Sequence, residues 1–295
     1  MKINPAEFIH PEDADALRQM EAITGFPTLL KEFMSLGLER FQYGQNLANS
    51  IRLSPTQLPK LYVHLPPICE KLGIAVPEFY LQMNPVPNAW TFGDTRVYIT
   101  ITSAIVDLLN DEELDAVIAH ECGHIVCRHA LYHSLAHWLS QSMDEAGLLG
   151  KIAAPLQLAI HYWERRSELS CDRAASVITS PDVVMRVMAR LAGGPVALTK
   201  EINPEEWAKQ ADEYEALCQE SAWDKILQSL SIKDESHPFV AVRVREILKW
   251  GASEQYRRLR DCLAANQSAD GVCPKCSAPI CDSWQFCRKC GEKLK

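Results

Sequence analysis

The sequence lacks any uninterrupted run of the roughly 20 apolar residues that a membrane-crossing helix needs. Its nearest approach, Leu148 to Trp163, is broken by Lys151, Pro155 and Gln157. That stretch is expected to form a buried or interfacial helix, which leaves peripheral membrane contact open but no transmembrane segment. Lys2 is not followed by an apolar run, so no secretory signal is expected. Without one, the eleven cysteines point to a reducing, cytoplasmic setting in which they are thiols or metal ligands rather than disulfides. Positive charge is also short: 30 Lys and Arg face 38 Asp and Glu, a formal net charge of -8. Clustered phosphate contacts need the opposite balance, which argues against nucleic acid as a partner. No internal repeat is evident. What remains is a chain of 295 residues, 47% hydrophobic and 23% charged, the proportions of an ordinary globular protein.

The first seventy residues read as helical. Pro11 followed by Glu12, Asp13 and Asp15 suits a first helical turn, where acids face the positive end of the dipole. Phe26 to Tyr43 is a second apolar-periodic stretch, and Pro66-Pro67 ends whatever helix precedes it. Three short strands are predicted at Glu78 to Met83, Ala89 to Phe92 and Arg96 to Ile101. From Asn110 the pattern is helical almost to the end, with a capping residue, an acidic first turn, and helical spacing at Leu114, Val117, Ile118, Ile125 and Val126. Further helices are expected around Glu164 to Val177, Pro204 to Cys218, Phe239 to Trp250 and Glu254 to Leu263. The resulting division is an N-terminal helical region (1–70), a main domain (71–263), a linker (264–272) and a cysteine-rich tail (273–295).

The helix beginning at Asn110 carries His120-Glu121-Cys122-Gly123-His124. Residues four apart on an α-helix lie about 40° apart around the axis and about 6 Å along it, so both imidazoles can face one tetrahedral zinc. Glu121 projects at a neighbouring angle, where it can serve as general base toward a water without ligating the metal. His129 and His133 would lie about 140° and 180° from His124 on a continued ideal helix. With His137, they are read as solvated or as ordinary packing. The longer H-E-x-x-H-x-x-G-x-x-H pattern is absent, since Cys127 and Ala130 stand where its glycine and third histidine would be. A third ligand must come from elsewhere in the chain.

Glu168 is the candidate. It shares a helix face with Asp172 one turn later. Asp172 could accept a hydrogen bond from the outer nitrogen of His120 or His124 and so fix its orientation. An exposed charged face is the competing reading of these two acids alone; the upstream motif tips the balance. Cys122 and Cys171 are read as small buried packing residues.

Taken together, His120-Glu121-x-x-His124 followed by Glu168-x-x-x-Asp172-Arg173 resembles the gluzincin metallopeptidases of the HtpX-like and CAAX prenyl endopeptidase kind. The resemblance runs from about Val76 to Leu248. It implies an α+β fold: a mainly helical zincin-type domain with a small three-stranded or larger antiparallel or mixed sheet. It further implies that Asn88-Ala89-Trp90 opens a strand along which a peptide substrate lies, that His237 donates to the oxyanion, and that Arg243 orients that histidine or the substrate. The implied activity is zinc-dependent endopeptidase action on peptides or proteins. Membrane-spanning members carry helices that this sequence lacks, so substrates tied to the membrane are not implied.

The tail holds five cysteines in 23 residues. Cys273-Pro274-Lys275-Cys276 and Cys287-Arg288-Lys289-Cys290 are two C-x-x-C knuckles, the halves of a structural Cys₄ zinc site, and resemble a small zinc ribbon. Cys281 is read as a non-ligand. Two zinc ions are therefore expected, one catalytic and one structural, and the ribbon's basic side chains could dock a protein partner. The alternative function is a catalytically idle or latent adaptor acting through that ribbon, against which the intact Glu121 argues.

Overall fold

The computed structural model describes residues 3–26, 28, 30, 33, 37–142, 147–217, 239–267, 271–276, 279–280, 290 and 292–294. Helix α1 (Pro11–Glu21) starts as the composition suggests: Pro11 occupies the first turn and the His10 side chain caps the Glu12 amide. It is followed by α2 (Leu38–Asn49), a short strand β1 (Ile51–Arg52), a single-turn helix α3 (Pro59–Tyr62) and α4 (Leu65–Leu72). Pro66 and Pro67 do more than end a helix, because they sit in the first turn of α4, where a missing N–H costs nothing.

Strands β2 (Glu78–Gln82), β3 (Ala89–Phe92) and β4 (Tyr98–Thr102) fall where predicted. With β1 they form a mixed sheet in the order β1-β2-β4-β3. The β2–β4 pair is parallel, while β1–β2 and β3–β4 are antiparallel. Every residue of β4 is buried, which explains its unbroken β-branched and aromatic sequence. Strand β3 is an edge of the sheet.

The rest is helical: α5 (Ser103–Leu108), α6 (Asp111–Val126), α7 (Ala130–Ser142), α8 (Gly147–Ile178), α9 (Pro181–Gly193), α10 (Val196–Thr199), α11 (Pro204–Leu217), α12 (Val240–Ala252) and α13 (Glu254–Gln267). A hairpin of β5 (Gly271–Val272) and β6 (Pro279–Ile280) follows. The fold is thus α+β and mainly helical, with a small mixed sheet. Helix α13 runs on through the first residues of the stretch read as linker.

Asn110 closes a capping box with Glu113 at the start of α6, and buried Glu113 pairs with Arg190 of α9 at 3.1 Å. The main core lies between the sheet and helices α6, α8, α9 and α12, through residues such as Ile99, Ile118, Ala174 and Val244. A second apolar cluster joins α1 to α7 and α8 through Met20, Leu135, Ile160 and Trp163. Within it, buried Asp13 accepts hydrogen bonds from Trp163 Nε1, at 3.0 Å, and from the Ser170 hydroxyl. Leu148 to Trp163 belongs to the long helix α8, and no helix among the described residues is long and apolar enough to cross a membrane.

Candidate metal centre

Helices α6 and α8 cross with Gly123 against Cys171, so near that a Cβ on Gly123 would lie 3.0 Å from the Cys171 Cα. This close approach brings Glu168 of α8 onto the two histidines of α6. Glu168 Oε2 is 3.3 Å from His120 Nε2, and Oε1 is 3.4 Å from His124 Nε2. All three residues are buried. Ligand atoms about 2.0–2.1 Å from a tetrahedral zinc are separated by about 3.3–3.4 Å, so this donor set fits the ion.

The groups behind these donors are equally specific. Asp172 Oδ1 lies 3.1 Å from His120 Nδ1, which directs Nε2 toward Glu168. Arg243 of α12 grips Asp172 with two hydrogen bonds, of 2.8 and 2.6 Å, and reaches Glu168 Oε2 at 3.2 Å. Burial works to raise the Asp172 pKa, but the Arg243 guanidinium and His120 hold it below the usual carboxylate range. Burial likewise opposes charge on His120, yet Glu168 and Asp172 outweigh it and carry its pKa up to about 10. Burial drives the His124 pKa well down.

Glu121 is buried next to His120 and faces β3, where Thr91 donates to its Oε2 at 2.7 Å. Alternation along β3 turns Ala89 and Thr91 toward α6 and sends Trp90 to the other face, against the aromatic cluster of Tyr80, Phe92 and Tyr98. Asn88 and Ala89 line a cavity of about 420 Å³ that His120, Glu121, Asp172 and Arg243 also border. Its remaining wall is largely apolar, including Ile105, Val117, Ala175, Val187, Met188 and Val240. Of the Asn88-Ala89-Trp90 element, therefore, two side chains reach this cavity and the third packs behind the strand.

Helix α6 stops at Val126, Arg128 takes a left-handed backbone (φ 61), and α7 restarts at Ala130. The continued-helix angles for His129 and His133 accordingly do not apply. His129 is buried, with Nε2 3.2 Å from Asp13 Oδ2, and the His133 ring packs 4.6 Å from that of His124. They pack as a polar cluster behind the site, His129 buried and His133 partly exposed. Cys122 and Cys171 are fully buried, as expected; burial raises the Cys171 pKa, and hydrogen bonding to Cys69 together with burial raises that of Cys122. His237, Cys281 and Cys287 lie outside the described residues. In the tail, the sulfurs of Cys273, Cys276 and Cys290 lie within 4.8 Å of one another, a grouping able to hold a metal.

A buried H-E-x-x-H helix with a distant carboxylate folded onto it is an arrangement for metal-dependent peptide hydrolysis. Residues 65–251, more than half of the chain, match the model of peptidase family M48.

The chain belongs to this family.

Among relatives, it is 31% identical over 258 residues to the plastoglobule-localized metallopeptidase 48, chloroplastic, of Arabidopsis thaliana, covering 86% of this chain and 74% of that protein. It is 27% identical over 238 residues to a protease HtpX homolog of Trichormus variabilis, covering 67% and 75% of the two chains. A protease HtpX homolog of Pelotomaculum thermopropionicum is 30% identical over 116 residues, or 37% of this chain and 41% of that one. No solved structure matches. As an M48 peptidase the chain is a zinc metalloprotease, and peptides or proteins are its substrates. Sequence reading gave no separate role to two residues that shape this cluster, Gly123 and Thr91. The only signals for them were a small residue inside the motif and a position two after Ala89 on the same strand.

Proposed function

We propose that this M48 peptidase is an endopeptidase in which His120, His124 and Glu168 hold the catalytic zinc and Glu121 is the general base. The supporting observation is the pair of contacts that Glu168 makes with the two histidine Nε2 atoms, at 3.3 and 3.4 Å. Held by these residues, zinc would supply a lowered pKa for a water, from about 15.7 to about 7. Glu121 takes the proton of the attacking water and returns it to the departing amine. Asp172 fixes the tautomer of His120, and Arg243 holds Asp172 and Glu168 in register. His237 is retained as the proposed hydrogen-bond donor to the oxyanion, on the family resemblance.

As an edge strand of the sheet, β3 would offer main-chain pairing to an extended peptide, which favours peptide bonds with little sequence preference over small metabolites. Asn88 and Ala89 would align the peptide, and the adjoining apolar cavity would take one of its side chains. Cys273, Cys276, Cys287 and Cys290 are proposed to hold a second, structural zinc. The 3.7 Å between Cys273 Sγ and Cys290 Sγ suits two thiolates on one tetrahedral ion, about 3.8 Å apart. A cytoplasmic location stays part of the proposal, although the Arabidopsis relative is named for a chloroplast compartment.

The test is digestion of unfolded casein by the purified protein alongside Glu121→Gln. The wild type should cleave and the variant should not. Equal cleavage by both would remove Glu121 from the mechanism, and cleavage by neither would favour the adaptor.

A further inference from the structure

Thr91 is the polar residue that β3 turns onto the metal helix. Its hydroxyl lies 2.7 Å from Glu121 Oε2 and 3.0 Å from the Glu121 main-chain oxygen. Thr91 is 8% exposed and Glu121 1%, so water competes little for either contact. A hydroxyl carries one proton and can donate to one of these oxygens at a time. The shorter contact goes to the carboxylate, as a charge-assisted bond should. The main-chain oxygen sits within α6, where its helical bond leaves a second lone pair free to accept.

We propose that Thr91 is a positioning residue for Glu121, holding one carboxylate oxygen, Oε2, so that the other is aimed at the attacking water. The inference rests on the reading of Glu121 as the base. In the step concerned, an O–H bond of the attacking water breaks and its proton joins Glu121. The electron pair stays on the water oxygen, which bonds to the peptide carbonyl carbon. Thr91 transfers no proton. The proton is taken by the other carboxylate oxygen, Oε1, and the Thr91 hydroxyl keeps donating to Oε2, which remains an acceptor. Valine at this position would preserve shape and leave Oε2 facing a methyl group.

The experiment compares kcat, KM and zinc content for wild type, Thr91→Val, Thr91→Ser and Glu121→Gln on one peptide, with crystal structures of the metal-free wild type and Thr91→Val. Thr91→Ala replaces valine should that variant not fold. Loss of a hydrogen bond to a buried charge should lower kcat about 10- to 100-fold. KM should stay within about twofold and zinc content unchanged, with serine restoring kcat to within about threefold, because the hydroxyl and not the methyl group is at work. The Glu121 carboxylate should be displaced in the valine structure. Wild-type kcat in Thr91→Val, an equal loss in Thr91→Ser, lost zinc, or an unmoved Glu121 carboxylate would each overturn the inference. A fully active Glu121→Gln would instead remove the base reading itself; an inactive Glu121→Gln beside an unaffected Thr91→Val would remove only the role of Thr91.

Discussion

Gly123 and Cys171 form the contact on which α6 and α8 cross, where a methyl group would fit only if one helix gave by a few tenths of an ångström. Glycine inside a helix costs about 1 kcal/mol relative to alanine, so its presence in α6 needs a packing reason. Here that reason is the close approach that carries Glu168 to His120 and His124. Gly123→Ala should force the helices apart and destabilise the protein by about 1–3 kcal/mol, the usual cost of overpacking. Zinc at the catalytic site should weaken with it. Thermal melting and metal titration check this, and an alanine variant with unchanged affinity and stability would show that the crossing can give.

Metal content separates the two proposed sites. The purified protein should hold about two zinc ions per chain, one in each kind of site. Replacing His124 and Glu168 with alanine should remove one, and replacing Cys273 and Cys290 with serine should remove the other. Asp172→Asn, which weakens the anchor of His120, should lower affinity at the catalytic site about 10- to 100-fold while leaving the ribbon loaded. Elemental analysis after exhaustive dialysis measures both results.

Arg243 is the cation that balances Asp172 and Glu168 when no metal is present. Arg243→Met would leave two buried carboxylates short of their partner. Breaking a buried pair of this kind costs about 3–5 kcal/mol, so metal-free protein should lose that much in urea unfolding. Zinc should recover part of the loss, because it too places positive charge on Glu168. Identical losses with and without zinc would count against a shared carboxylate.

Acid should weaken the attachment of the N-terminal helix. Burial would raise the Glu246 pKa, but His10, Lys249 and Arg245 pull it down to about 2. A carboxylate depressed in the folded state stabilises the protein above its unfolded pKa, and that contribution is lost as pH falls. The loss should run from about pH 4.5 down to about 2 and amount to no more than about 3 kcal/mol. Glu246→Gln should flatten the stability profile over that range in unfolding experiments at stepped pH.

Much of helix α6 was legible from local chemistry. The capping box at Asn110 and Glu113 and the four-residue step between His120 and His124 are short-range features, set by helix geometry alone. The β4 strand was readable because burial on both faces selects β-branched and aromatic residues throughout. The pairing of Glu168 with a helix 44 positions earlier was inferred from chemical need, and the contacts at 3.3 and 3.4 Å now support it. The packing expected of His129 and His133 is seen, but not at the expected angles, because α6 ends at Val126 and left-handed Arg128 redirects the chain so that both rings lie against His124.

By itself, then, the sequence determined the kind of chemistry: two imidazoles and a carboxylate on adjacent helical positions, a second pair of acids one turn apart, and paired cysteines at the end. Residue type and spacing along one element suffice for that. Only the tertiary structure decided which groups meet. The parallel pairing of β2 with β4 leaves β3 at an edge and aims Thr91 at Glu121, and the glycine-thin crossing of α6 and α8 sets the distance across which a metal could be shared. Such contacts depend on how whole elements pack, and no local pattern encodes them.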